Sequence, residues 1–482
     1  MIHVRSMNSC LREPTSRTGS AGAAASARSA TTPASVTREG TGYLPSRLCA
    51  AKDISIFSQR NTFPFLVDSP RCETRESTSA PAEEPMRVVI WRIALPLVAA
   101  ASLGAALTPA ALRFTEFLIM DGYAYPYGIC AADLDGDGDL DLTSADALPH
   151  NNLYWFENDG RGRFTRHFSQ KNEPERLERH QIGDLNGDGF PDVVIVQNLR
   201  GDLEWFENSG HPRSDELWRR HIITRGGMPG AYDVALADFD GDGDLDVAAS
   251  GWTLGNQFAW FENPGPKGGD REWTKHTIEE NLAETRTIRV ADFDRDGDPD
   301  LLGTASGAGL ILWYENAGKG REWRRHVIAE APRALHGQPA DLNRDGWIDV
   351  VMAEGMGGAP ESKQTGLIAW YENSGSPRGG PWKKHVIREV FEGAFEAVAA
   401  DLDGDGDIDV AATGWGQPGR IAWFENPGDP AGTWTMHVLK DNWHRANQVI
   451  VADLDGNGRL DLAAVAERGT LEFRWWRNEG TR

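Results

Sequence analysis

From residue 111 onward, apolar positions come in short runs separated by clusters of Gly, Asp, Asn and Pro. Val193-Val-Ile-Val196 and Val247-Ala-Ala249 are typical. Runs this short, rich in β-branched and aromatic residues and bounded by turn residues, predict strands. They recur in a fixed order. An apolar run such as Asp233-Val-Ala-Leu-Ala237 leads into an Asp/Gly loop, and a second apolar run follows it. Next comes an aromatic strand, Trp155-Phe-Glu-Asn158, echoed at Trp205, Trp260, Trp313, Trp370, Trp423 and, altered, at Trp475. A Gly-containing turn then leads to a Trp-x-x-His strand: Trp218/His221, Trp273/His276, Trp323/His326, Trp382/His385 and Trp434/His437, with Phe164/His167 as a variant. Four short strands in a unit of roughly fifty residues predict a propeller blade.

The number of blades follows from the Asp/Gly loop. Asp133-Leu-Asp-Gly-Asp-Gly-Asp-Leu-Asp141 recurs from Asp184, Asp238, Asp292, Asp341, Asp401 and Asp453, at spacings of 51, 54, 54, 49, 60 and 52. Seven loops and seven aromatic strands are followed by only six His-type strands. Phe114-Thr-Glu-Phe-Leu-Ile119, ahead of the first loop, aligns with Phe164-Thr-Arg-His-Phe168. The sequence therefore predicts an all-β, seven-bladed β-propeller over 111–482. Its N-terminal strand completes the last blade and removes the open sheet edge.

Alternating carboxylates in a Gly-containing loop suit a hard cation such as Ca²⁺, which takes six to eight oxygens. In the first copy Asp133, Asp135, Asp137 and Asp141 offer side-chain oxygens and Asp139 its carbonyl. The matching sets are Asp184, Asn186, Asp188 and Asp192; Asp238, Asp240, Asp242, Asp244 and Asp246; and Asp292, Asp294, Asp296, Asp298 and Asp300. Then come Asp341, Asn343, Asp345 and Asp349; Asp401, Asp403, Asp405, Asp407 and Asp409; and Asp453, Asp455, Asn457 and Asp461. Of 28 side-chain slots, 25 are Asp and 3 are Asn, so an ordinary turn is a poor explanation: such packed carboxylates repel each other without a cation. An EF-hand would need Glu at the twelfth position, where Ser144 stands, and flanking helices. Up to seven Ca²⁺ ions are expected.

Residues 1–85 are rich in Ser, Ala, Thr and Arg without apolar periodicity and read as disordered, or as an extension ahead of the true start. Met86, Arg87 and Arg92, the apolar run 93–107 and Thr108-Pro109-Ala110 read as a signal peptide over 86–110, with translation beginning at Met86. A retained anchor and a long leader are the alternatives. The expected location is secreted, periplasmic or cell-surface, with no stable membrane insertion after cleavage. Cys130 alone remains downstream, so no internal disulfide is available and bound metal takes over the stapling. The 37 basic and 64 acidic residues of 111–482 give a net charge of −27, which seven divalent ions would reduce to −13. Without a basic stripe, nucleic acid is excluded as a partner.

The repeats resemble the FG-GAP/VCBS family, represented by the integrin α-subunit propeller. That resemblance implies the seven-bladed ring and Ca²⁺ in the loops. It leaves function open among adhesion modules, sugar-binding lectins and the propeller portions of carbohydrate lyases. In an antiparallel meander the metal loops share one face, and the other connections share the opposite face. The longest insertion, 355–366, and Trp252, Trp415 and Trp443 fall on that second face, outside the repeated slots. Tyr127, Tyr232, Arg179 and Glu396 fall at the inner ends of its connections. Together these seven residues are the expected recognition surface, for a carbohydrate or an extracellular protein. A polysaccharide lyase-like enzyme using the same face and an adhesion scaffold are the alternatives. The repeated His and Glu residues, one per blade, read as structural rather than catalytic.

Overall fold

The computed structural model describes residues 112–481, apart from 148, 215, 267, 269–270 and 356–365. The readings of 1–85 and 86–110 lie outside the described residues. Twenty-eight strands form seven four-stranded antiparallel sheets, each in meander order. The first sheet is β2 (Pro126–Ala132), β3 (Asp141–Asp146), β4 (Asn152–Asn158) and β5 (Phe164–Gln170). The inner strands of the next five blades are β6 (Leu177–Gly183), β10 (Ala231–Ala237), β14 (Thr285–Ala291), β18 (Ala334–Ala340) and β22 (Ala394–Ala400). Neighbouring inner strands pack side by side around a central channel. Among the described residues no helix is long and apolar enough to cross a membrane.

Burial explains the run pattern. The second strands of all blades are buried along their whole length, as β3 is, because a blade lies against each face. Such strands read as continuous apolar runs rather than alternating ones. The outer strands are only partly covered, as in β9 (Arg219–Thr224), where Arg219 and Arg220 are exposed and Ile223 and Thr224 buried.

The seventh blade closes as the sequence predicts. β1 (Phe114–Met120) pairs with β28 (Glu472–Asn478), which continues to β27 (Asp461–Ala466) and the inner β26 (Ala446–Ala452). In the other six blades a His ring stacks on the blade's Trp, with centroids 4.0–4.5 Å apart. Phe117 takes that place in blade seven, stacked 4.9 Å from Trp475. Each of those His Nε2 atoms pairs with the blade's repeated Glu at 2.7–2.9 Å, for example His167 with Glu157. Stacking and hydrogen bond together hold each His within its blade, while Glu157 and Glu315 also pair with Arg213 and Arg378 of the next blade.

Two further devices join the blades. The Asn that ends the aromatic strand donates Nδ2 to a carbonyl in the preceding blade's metal loop. Asn208 reaches Leu134, Asn263 reaches Leu185, and Asn158 reaches Leu454 across the seam, all at 2.7–2.9 Å. Asn316, Asn373 and Asn478 repeat this, while Asn426 bonds within its own blade. At the channel wall, Gln448 both accepts from and donates to the Ile129 backbone, at 2.9 and 3.0 Å. An amide side chain thus satisfies an inner strand edge that has no β partner.

Candidate functional site

Each metal loop is wound by its own carboxylates. In the first, Asp133 accepts from the backbone N–H groups of Gly136 and Gly138 at 2.8 and 3.0 Å. Gly138 adopts φ +96°, open to glycine at no steric cost. Asp141 anchors the loop by accepting from Leu134 N and Asn158 N. Carboxylate oxygens of the first, third and ninth positions converge within 4.8 Å in five loops: Asp133/Asp135/Asp141, Asp238/Asp240/Asp246, Asp292/Asp294/Asp300, Asp401/Asp403/Asp409 and Asp453/Asp455/Asp461. In the second and fifth loops Asn186 and Asn343 hold the third position, donating to Asp188 and Asp345. The fifth-position Asp137, Asp242, Asp296 and Asp405 do not join the trios.

These loops fit a divalent cation. Asp292 Oδ1, Asp341 Oδ1 and Asp455 Oδ1 are buried without a hydrogen-bond partner. Burial pushes the ninth-position carboxyls up: Asp141, Asp192, Asp246, Asp349 and Asp409 to about 7, Asp300 to about 8 and Asp461 to about 6. Converging acids that resist ionisation, beside oxygens with nothing to bind, are what a bound Ca²⁺ would relieve. Two loops also carry a guanidinium from the next blade. Arg213 reaches Asp135 and Asp137, and Arg378 reaches Asp294.

The opposite end of the channel is built differently. Arg179 on β6 makes a bidentate pair with Glu396 on β22, straight across the ring, at 3.0 and 2.9 Å. Only 1% of Arg179 and 3% of Glu396 is exposed. Arg289 joins this pair, 2.6 Å from Asp233 and 3.5 Å from Glu396. Beside it Tyr127 Oη lies 2.6 Å from Tyr232 Oη, which lies 3.1 Å from His336 Nε2. Burial, reinforced by Arg179, holds His336 neutral. These groups close the channel. A cavity of about 460 Å³ runs from Arg289 and Glu396 towards the metal-loop ends of the inner strands.

Around this plug lies a hub of aromatic and charged residues. Tyr125 stacks on Tyr127, and Arg176 and Arg468 lie over the Tyr125 ring at 5.1 and 4.6 Å. Arg286 lies 4.6 Å over half-buried Trp252, and Arg445 lies 4.4 Å over half-buried Trp415. Trp415 Nε1 donates to Glu467 Oε1. Glu178 is fully buried and lies 2.7 Å from Arg176 Nη2, outside hydrogen-bonding geometry. Burial raises Glu178 to about 7 and raises Glu467 as well. Five buried polar atoms of the hub have no hydrogen-bond partner: both Glu178 oxygens, Glu467 Oε2, Arg176 Nε and Trp252 Nε1.

Residues 184–249, 292–352 and 401–464 match the FG-GAP-like repeat family. Each span runs from one blade's metal loop through the next blade's loop into its second strand, so the three spans hold six of the seven loops of the ring. The chain is an FG-GAP-repeat propeller. A curated relative, aldos-2-ulose dehydratase of Phanerodontia chrysosporium, is 23% identical over 258 residues. That match covers 46% of this chain and only 28% of the relative. Among solved structures, BBS1N in complex with ARL6DN is similar at 10% identity and TM-score 0.49, covering 77% of this chain and 99% of that one.

Within the FG-GAP propeller, the expected recognition residues divide. Trp252 and Trp415 border the hub, with Tyr127 and Tyr232 buried beneath them. Arg179 and Glu396 meet each other in the plug, where Arg179 Nη1 and Nη2 donate to the Glu396 carboxylate. Trp443 corrects the expectation of an exposed indole. It is 0% exposed, packed edge-on against Trp476, and its Nε1 donates to Glu472 at 3.0 Å. Its turn folds inward because Ala446 and Val449, just downstream, enter the same core. Insertion 355–366 lies almost wholly outside the described residues. Sequence reasoning did not single out Arg176, Glu178, Arg445, Glu467 or Arg468. A signal for Glu178 existed: inner strand β6 reads Leu177-Glu-Arg-His-Gln-Ile182, where β10 reads Ala231-Tyr-Asp-Val-Ala-Leu236.

Proposed function

We propose that this protein is a secreted, Ca²⁺-stabilised propeller that binds a carbohydrate at the hub opposite its metal loops. The observation that carries this reading is the set of buried polar atoms without a hydrogen bond, Glu178 Oε2, Glu467 Oε2, Arg176 Nε and Trp252 Nε1, next to half-buried indoles. Buried polar groups without partners cost free energy, so they call for a ligand or ordered water with complementary hydrogen-bonding groups. A sugar offers both halves of the match: C–H faces for Trp252 and Trp415, and hydroxyls for the carboxylates and N–H groups. The distant relative named as an aldos-2-ulose dehydratase supports a carbohydrate ligand. The apolar run 93–107 behind Arg87 and Arg92 supports secretion.

The test is a glycan screen followed by titration of the best ligand against Trp252→Ala/Trp415→Ala. Binding should weaken about a hundredfold, because each indole contributes contact area worth roughly 1–2 kcal/mol. Unchanged affinity places the site elsewhere. One observation favours a catalytic reading of the same hub. Glu178, raised to about 7 by burial, is suited to exchange a proton near neutral pH. Product analysis of bound sugars by mass spectrometry tests it, and Glu178→Gln should abolish turnover while keeping binding.

A further inference from the structure

Three arginines around the hub share one arrangement. Arg286, Arg445 and Arg468 each place the guanidinium carbon over an aromatic ring, those of Trp252, Trp415 and Tyr125, at 4.4–4.6 Å. Stacking occupies the face of a guanidinium and leaves its N–H edge free. Arg445 and Arg468 make no ion pair among the described residues. Arg286 has a Ser306 hydrogen bond and Glu284 at a distant 3.8 Å. Several arginines elsewhere hold carboxylates closely, as Arg213 holds Glu157, Arg378 holds Glu315 and Arg474 holds Glu472, whereas Arg295 stacks singly on Trp347 at 4.3 Å. In a chain of net charge −23, Arg445 and Arg468 are thus left without a carboxylate in ion-pair contact among the described residues. Arg445 and Arg468 also have φ of 60° and 41°, a conformation that Asn or Gly adopts at less cost.

Resting on the carbohydrate reading above, we infer that the ligand is an anionic carbohydrate, whose carboxylate or sulfate groups dock on the N–H edges of Arg445, Arg468 and Arg286. Arg445 and Arg468 sit on connections beside Trp415 and Tyr125, and Arg286 lies on inner strand β14, linked to them through Tyr232, Tyr127 and Tyr125, so charges along one glycan can reach all three. Planar guanidinium forks match oxyanions, and indoles take the sugar faces between them. No hub carboxylate lies in ion-pair contact with Arg445 or Arg468: Glu178 is engaged by Arg176, and Glu467 accepts from Trp415 Nε1.

Calorimetric titration of the Ca²⁺-loaded protein with oligogalacturonate, its methyl ester and a sulfated galactan tests the inference. Oligogalacturonate or the sulfated glycan should bind, the ester should not, and affinity should fall as salt rises from about 20 mM to about 300 mM. Arg445→Asn/Arg468→Asn keeps the left-handed backbone easy, so it should fold normally and bind about tenfold or more weakly. Which of the two anionic glycans binds separates carboxylate from sulfate as the source. If neutral glycans bind as well as charged ones and depend on Trp252 and Trp415, the anion inference fails and the carbohydrate site stands. If poly-glutamate binds as well as oligogalacturonate, the site reads charge alone and the carbohydrate specificity fails. If nothing binds in a hub-dependent way, both readings fail.

Discussion

Replacing Glu396 by Leu should be among the most damaging single changes in the ring. Glu396 accepts two hydrogen bonds from Arg179 and lies 3.5 Å from Arg289. With it gone, Arg179 keeps its charge, is 1% exposed and has no carboxylate in contact, while Arg289 retains Asp233. Breaking a buried pair from one side costs roughly 3–5 kcal/mol. Removing both partners is different: Arg179→Met/Glu396→Leu deletes the charges and their desolvation together and should lie within about 1–2 kcal/mol of the parent. The assay is urea unfolding followed by Trp fluorescence in excess Ca²⁺. With a denaturant slope of about 3 kcal/mol/M, the single mutant's midpoint should drop by about 1 M. The cycle also separates plug from ligand contact, since the double mutant should still bind whatever the hub binds. A Glu396→Leu protein as stable as the parent would refute the reasoning. It would mean that the channel cavity supplies enough water to solvate Arg179 alone.

Three further outcomes are expected. Chelation should lower the melting temperature: at about 1 mM Ca²⁺ and a dissociation constant of roughly 10⁻⁴–10⁻³ M, each loop contributes about 0.4–1.4 kcal/mol. The seventh loop, with Asn457 and Arg459, should release its ion first in a competition titration; unchanged melting in metal-free protein contradicts this. A chain begun at Asp121 lacks β1, exposing the β28 edge and Trp475, and should aggregate where one begun at Leu112 is monomeric in size-exclusion chromatography. Equal behaviour of the two chains would remove β1 from the account of closure. Glu178 gives a pH signature. Its folded pKa of about 7 exceeds the unfolded value of about 4.3, so its contribution is full below about pH 4 and is lost as pH rises through about 7. Glu178→Gln should therefore flatten the fall in stability between about pH 5 and pH 8, and an unaltered profile would assign that fall to other groups.

Blade number, strand order and the closing strand were legible in the sequence because each is a local pattern repeated seven times. The loop carboxylates likewise sit within nine residues of one another, so chain connectivity alone brings Asp133, Asp135 and Asp141 together. Phe117 could be assigned to the outer strand of blade seven because it occupies the His167 position of an aligned motif. The hub had no such repeat to reveal it. Its residues come from different blades, and their meeting depends on ring closure: Arg179 and Glu396 are 217 residues apart. Sequence placed Trp252, Trp415 and Trp443 on one face by topology, and that much follows from the meander. Whether each indole then points outward or into the core is a packing decision. Trp443 found Trp476 and Glu472 beneath it, whereas Trp252 and Trp415 were left half-open beneath Arg286 and Arg445. The Asn clamps show the same division. The Asn that ends the aromatic strand is visible in every repeat, but in six of the seven blades its acceptor lies in the preceding blade, and only blade-to-blade packing brings that carbonyl within reach.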